Sequence, residues 1–144
     1  MAYIPLIIFI ISSLIICIFD IKSLHLPLLV LYVSFITLSV FFILNDFEDF
    51  LLRIAAAASL FALFFFCRLI TRGKLGWGDI QYSAFCALLT GLPLAFAAVL
   101  ASCLLAALFF LIAKFIKRPI LQSKKKIPFT PFMFLGSIFV IFLL

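Results

Sequence analysis

Long apolar runs separated by short polar breaks set the pattern of this chain. Residues 1–19, 23–45, 54–67, 80–113 and 127–144 contain no Asp, Glu, Lys or Arg. A helix that crosses a bilayer needs about 20 predominantly apolar residues, so runs of this length predict transmembrane helices.

The breaks place the helix ends. A first helix over 2–19 is expected to end in the polar link DIKSLH at residues 20–25. Leu26-Pro27 then opens a second helix, where a proline in the first turn costs little because its missing N–H would have no intrahelical partner. That helix runs to about Leu44, and Asn45, Asp46, Glu48 and Asp49 form an acidic turn. A third helix over 50–69 carries Arg53 and Arg68 near its ends, from which long side chains can reach the membrane surface. The run 80–113 is too long for one ordinary span, and Gly91-Leu92-Pro93 interrupts it where a turn would fall. It predicts a fourth helix over 79–91 and a fifth over 93–116, followed by a basic loop and a sixth helix from about Pro128 to Leu144. The expected fold class is all-α: a polytopic membrane protein with six transmembrane helices in a single domain, residues 1–144.

Composition agrees with this pattern. The chain is 69% hydrophobic, has 21 Phe and a mean hydropathy of +1.48, far above what a water-soluble domain carries. No stretch is left over for a soluble domain, so the net charge of +6 points to anionic lipid head groups and not to nucleic acid. The N-terminus lacks the basic segment and small-residue cleavage site of a secretory signal, and its first helix is expected to be retained. Cys17, Cys67, Cys86 and Cys103 lie inside apolar runs without any Cys-x-x-Cys pair. They read as small hydrophobic residues, with neither a zinc site nor a disulfide framework expected.

Charge then orients the helices, because lysine and arginine accumulate on the cytoplasmic side. Placing the first link inside puts Lys22, Arg68, Arg72, Lys74, Lys114, Lys117, Arg118, Lys124, Lys125 and Lys126 inside as well. Only Arg53 falls outside, beside Asp46, Glu48 and Asp49. Both termini are therefore expected to be extracytoplasmic. The same topology brings Asp20 and Asp79 out on one side. At about 1.5 Å per residue the fourth helix is roughly 20 Å long, against a hydrocarbon core of about 30 Å. Asp79 would then lie below the inner membrane surface, where a carboxylate needs a partner, a wet cavity or a proton.

Asp79 closes the tetrapeptide Gly76-Trp77-Gly78-Asp79. The two glycines allow a tight turn and the close approach of another element, so the aspartate can be presented without a crowding Cβ. Two carboxylates in a low-dielectric site cannot both ionise readily; one keeps its proton, and the pair can activate water and protonate a leaving group. Helix dipoles favour Asp79 as base and Asp20 as acid, although a coupled pair titrates as a unit. Each residue also has a plainer account, Asp79 as a helix N-cap and Asp20 as the charge that ends a span. Their shared side and the short fourth helix argue for the pair. His25 and Trp77 read as passive interface residues, and the lysines at 124–126 as a topology signal.

Three segments together resemble the type IV prepilin peptidases, membrane aspartyl proteases known for Gly-x-Gly-Asp. Residues 19–27, FDIKSLHLP, are similar to the family's first-aspartate motif; 73–84, GKLGWGDIQYSA, to its second; and 127–136, IPFTPFMFLG, to the proline-rich start of its last helix. The resemblance implies Asp20 and Asp79 as the catalytic pair, with Gly76, Gly78, Lys22, Pro27 and Pro128 in supporting positions. It implies an endopeptidase that removes the short basic leader of pilin-like or flagellin-like precursors at the cytoplasmic face of the inner membrane. Its partners would be those precursors and the surrounding lipids, and it would use no metal or organic cofactor. Gln81 stands where many members have lysine, and Leu28 where a polar residue often follows the proline. The cysteine-bearing cytoplasmic segment of larger members has no counterpart here, so peptidase activity without methyl transfer is expected. Two other classes fit the bare residues: a small proton-coupled transporter using the same aspartates, and a non-catalytic helical subunit of a secretion apparatus.

Overall fold

The computed structural model describes residues 3–23, 27–73, 75–115 and 129–143. His25, Lys74, Pro128 and the basic residues at 117, 118 and 124–126 lie outside the described residues. Among the described residues six helices follow one another: α1 Tyr3–Ser23, α2 Leu28–Asn45, α3 Phe47–Ile70, α4 Trp77–Thr90, α5 Leu94–Phe115 and α6 Thr130–Leu143. Among the described residues all the regular structure is helical, and α1, α2, α3 and α5 are long and apolar enough to cross a membrane. At fourteen residues each, α4 and α6 fall short of that length.

The helix that organises the bundle is the short fourth one. Ten of the fourteen residues of α4 are buried, and it packs against each of the other helices. Its polar residues Asp79, Gln81, Tyr82, Ser83 and Thr90 mean that this central place comes from packing on nearly every side and not from an all-apolar surface. Phe85 stacks on Phe9 of α1 with ring centroids 5.2 Å apart, and Phe9 in turn meets Phe134 of α6 at 6.2 Å. The outward faces of α1 and α5 carry Ile4, Ile7, Ile11, Leu14 and Ile18, and Leu100, Leu104, Leu108 and Leu111, all exposed. Their helical spacing is the stripe expected to meet lipid.

Two arginines of α3 hold the ends of α4. At one end Arg53 donates to the carbonyls of Leu89 and, at 3.4 Å, Leu88, while its Nε donates to Asp49 at 2.6 Å and its guanidinium lies 4.2 Å over the Phe42 ring. At the other end Arg68 donates to the carbonyl of Leu75 and sits 5.7 Å over the Trp77 ring. Along α3 the two are about 22 Å apart at 1.5 Å per residue, close to the roughly 21 Å length of α4. These side chains therefore turn onto the ends of a neighbouring helix and do not reach outward as the sequence suggested; a carbonyl without a main-chain partner, at the end of α4 or in the turn before it, is a stronger partner than an apolar slab.

Helix ends explain the other departures. The third helix begins at Phe47 and not at residue 50, because Asp46 caps it: Oδ1 accepts from the N–H groups of Glu48 at 3.0 Å and Asp49 at 3.2 Å. Glu48 and Asp49 then fall in the first turn, where the dipole favours acid. Its far end closes in a Schellman arrangement, Gly73 N–H to Arg68 carbonyl at 2.9 Å and Arg72 N–H to Leu69 carbonyl at 3.1 Å, with Arg72 at φ 52°. The first helix does not stop at Phe19 but runs on to Ser23, since neither Asp20 nor Lys22 breaks a helix.

On the other flank α6 lies close against α5. Ala95, Ala98, Ser102 and Ala106 form a buried stripe of small residues on α5, and Gly136 faces it. A Cβ on Gly136 would sit 2.7 Å from the Ala98 carbonyl oxygen and 2.8 Å from the Ser102 nitrogen. This is the small-residue packing by which helices approach in a membrane.

Candidate active site

Asp20 reaches the interior because it lies in phase with the buried face of α1. Phe9, Ser13, Ile16, Cys17 and Asp20 recur at intervals of three and four residues and are all buried. Asp20 is 6% exposed, and its Oδ2 has no hydrogen-bond partner. The sequence had placed it in a link after the first helix; the helix instead carries it inward for one more turn.

Asp79 is positioned by the turn that opens α4. Gly76 is the N-cap, with φ −64° and ψ 139°, so Trp77, Gly78 and Asp79 occupy the first three helical positions. From the third position an acidic side chain folds back over the helix end, and the Asp79 carboxylate is directed at the Gly76 N–H. A Cβ on residue 76 would lie 2.7 Å from Asp79 Oδ2. The glycine is thus required for close approach, and its φ is one that any residue adopts. The N-cap account of Asp79 is corrected by the same geometry, since Gly76 holds that place.

The two aspartates interact from separate helices, and a third helix lies beside them. Asp20 on α1 acts electrostatically on Asp79 on α4, and the Thr130 hydroxyl, at the start of α6, faces the Asp79 carboxylate. Thr130 Oγ1 faces Asp79 without a hydrogen bond of ordinary length and angle, and it has no other partner. Deeper in the bundle the buried hydroxyls of Ser13 and Tyr82 also face each other outside ordinary hydrogen-bond geometry.

The remaining residues suggested by sequence are dispersed around this centre. Gly78 is half-buried in the first turn of α4, Lys22 is exposed in the last turn of α1, and Pro27 is half-buried at the N-cap of α2. Pro128 lies just before the described part of α6. Gln81, in place of the family's lysine, donates from Nε2 to the Tyr32 hydroxyl at 2.8 Å, and its Oε1 is buried without a partner. Trp77 is 45% exposed and packs edge-on against Phe61 and Phe65 of α3 at 6.2 Å. Thr130 and Tyr32 were not foreseen. The signal for Thr130 was present all the same: it is the one hydroxyl in the apolar segment that opens the last helix.

A cleft of about 540 Å³, lined by Tyr3, Phe42, Asn45, Asp46, Arg53 and Phe142 among others, lies at the opposite end of the bundle from the aspartates. It contains neither Asp20 nor Asp79 and belongs to a different level of the molecule. Among the described residues no three His, Cys, Asp or Glu side chains gather as a metal-binding group, and the four cysteines are free.

The model of the type IV leader peptidase family matches residues 7–111, well over half of the chain and a span that includes both aspartates. No curated protein and no solved structure matches it. With two inward carboxylates on separate helices of a polytopic membrane protein, the chain belongs to the type IV leader peptidase family, and is an aspartic endopeptidase acting on pilin-like leader peptides.

Proposed function

We propose that Asp20 and Asp79 are the catalytic pair, and that they cut the short basic leader from pilin-like or flagellin-like precursors at the cytoplasmic face of the inner membrane. The observation that carries this reading is that Asp20 on α1 is buried with its Oδ2 unpartnered and acts electrostatically on Asp79 in the first turn of α4.

On this reading Asp79 takes a proton from water as the water oxygen attacks the scissile carbonyl carbon, and Asp20 gives its proton to the carbonyl oxygen. The tetrahedral intermediate then collapses: the C–N bond breaks, Asp79 passes its proton to the leaving nitrogen, and Asp20 recovers one from the gem-diol. Acid and amine leave, and the pair is restored with one shared proton.

The side of the membrane follows from charge. Six spans with both termini outside place the lysines and arginines on the cytoplasmic side, with only Arg53 opposite. In that topology α4 is a short span whose first turn lies beneath the inner surface, within reach of a precursor whose apolar helix stays in the bilayer. A basic leader suits a site carrying one negative charge.

The test is cleavage of a pilin-like precursor by the purified protein in proteoliposomes, with sequencing of the new N-terminus. Wild type is expected to cut at the leader boundary, and Asp20→Asn and Asp79→Asn to leave the precursor whole while remaining folded. Cleavage by either variant at the wild-type rate overturns the assignment of the pair.

A further inference from the structure

We propose that Thr130 is a positioning residue of this same site: its hydroxyl orients the Asp79 carboxylate and, with it, the water that carboxylate activates. The inference rests on the reading of Asp20 and Asp79 as the catalytic pair.

Most of the helical Ser and Thr hydroxyls are satisfied within their own helix; Ser13, which faces Tyr82, and Thr130 are the exceptions among the described residues. Ser12, Ser34, Thr37, Thr90, Ser102 and Ser137 each donate to a main-chain carbonyl one turn back, at distances between 2.6 and 3.0 Å. This is how Ser and Thr satisfy themselves inside a helix. Thr130 begins α6 and, unlike these, makes no such bond. Its side chain is 0% exposed, its Oγ1 has no hydrogen-bond partner, and it faces the Asp79 carboxylate. A buried hydroxyl left in that state is costly, and the acceptor it faces is the one group at hand that relieves it.

The neighbouring orphan atom strengthens the case. Asp20 Oδ2 is also buried and unpartnered, and it belongs to the carboxylate that acts on Asp79 across the site. From α6, Thr130 thus completes a site whose acids come from α1 and α4. Among the described residues Asp20 is the charged group acting on Asp79, the remaining neighbours on α4 and α6 being the Gly76 N–H and this hydroxyl.

Thr130→Val removes the hydroxyl and keeps the shape; Thr130→Ser keeps the hydroxyl and removes the methyl. Cleavage of a pilin-like precursor in proteoliposomes would be followed as kcat, KM and the pH dependence of kcat/KM. For Thr130→Val, kcat is expected to fall roughly 10- to 100-fold, the scale of a lost hydrogen bond to a charged group, with KM within about twofold of wild type. Its acidic limb is expected at higher pH, because an anion that loses a donor needs a lower proton concentration to form. Thr130→Ser is expected to keep the wild-type profile, and Thr130→Ala reads the same loss should the valine variant fail to fold. A wild-type kcat and acidic limb in Thr130→Val or Thr130→Ala overturns the proposal, as does a serine variant as impaired as the valine one. Activity in Asp79→Asn would instead overturn the underlying pair, which keeps the two failures distinct.

Discussion

The Asp79 carboxylate occupies space that a methyl group on Gly76 would invade: a Cβ there would lie 2.7 Å from Oδ2, and 3.5 Å from Cγ. The nearest obstacle is the end of a side chain and not the backbone, so the chain can fold with alanine at 76 by turning the aspartate aside. The reactive group would be what moves. Gly76→Ala is therefore expected to leave thermal unfolding in detergent nearly unchanged while kcat falls about 100-fold, the scale set by a displacement of about 1 Å at a reacting group. Parallel measurement of Tm and kcat checks it; a large drop in Tm with proportionate activity per folded molecule would contradict it.

Arg53 and Arg68 hold α4 by its two ends, and the consequences of losing them should differ. Arg53 meets the carbonyls of Leu88 and Leu89, far from the aspartates, so Arg53→Met should cost about 1–3 kcal/mol through orphaned buried acceptors. Arg68 holds the Leu75 carbonyl and Trp77, next to the turn that presents Asp79. Arg68→Met is expected to lower kcat more than stability. Denaturant unfolding beside cleavage rates separates the two, and equal effects of both variants on kcat would contradict the account.

Gly136 tests the packing that brings α6 to the site. Any side chain there meets the Ala98 carbonyl and the Ser102 backbone, neither of which yields cheaply. Gly136→Val should separate α6 from α5 and destabilise the bundle by about 1–3 kcal/mol, the usual cost of overpacking. Thermal unfolding in detergent measures it. A variant as stable as wild type would mean that the helices are not in close contact.

Much of this was readable from the chain because membrane helices announce themselves by length. The Gly91-Leu92-Pro93 break divided α4 from α5 correctly, and the GWGD tetrapeptide marked the turn that opens α4. Asp20 could have been placed inside α1 by the three-and-four spacing that links it to Phe9, Ser13 and Ile16; its charge drew it wrongly into a link. Asp46, Glu48 and Asp49 likewise hid a capped helix start behind the look of an acidic turn. Arg53 and Arg68 were not legible, because their partners are carbonyls of another helix and no residue type marks a carbonyl. Thr130 was marked as the one hydroxyl in the segment that opens the last helix, but the neighbour through which it acts lies some fifty residues earlier, which spacing along one helix cannot reveal. Family membership at residues 7–111 then favours a protease over a transporter using the same two acids.

The central claim is that Asp20 and Asp79 act as one unit, and the rate of precursor cleavage in the two single asparagine variants and their double combination tests it most directly. If they share one reaction, each single replacement should lose at least about a thousandfold in kcat, and the double should lose little more than the worse single, as for groups that function together. Losses that multiply, or a single variant that retains appreciable cleavage, would contradict it.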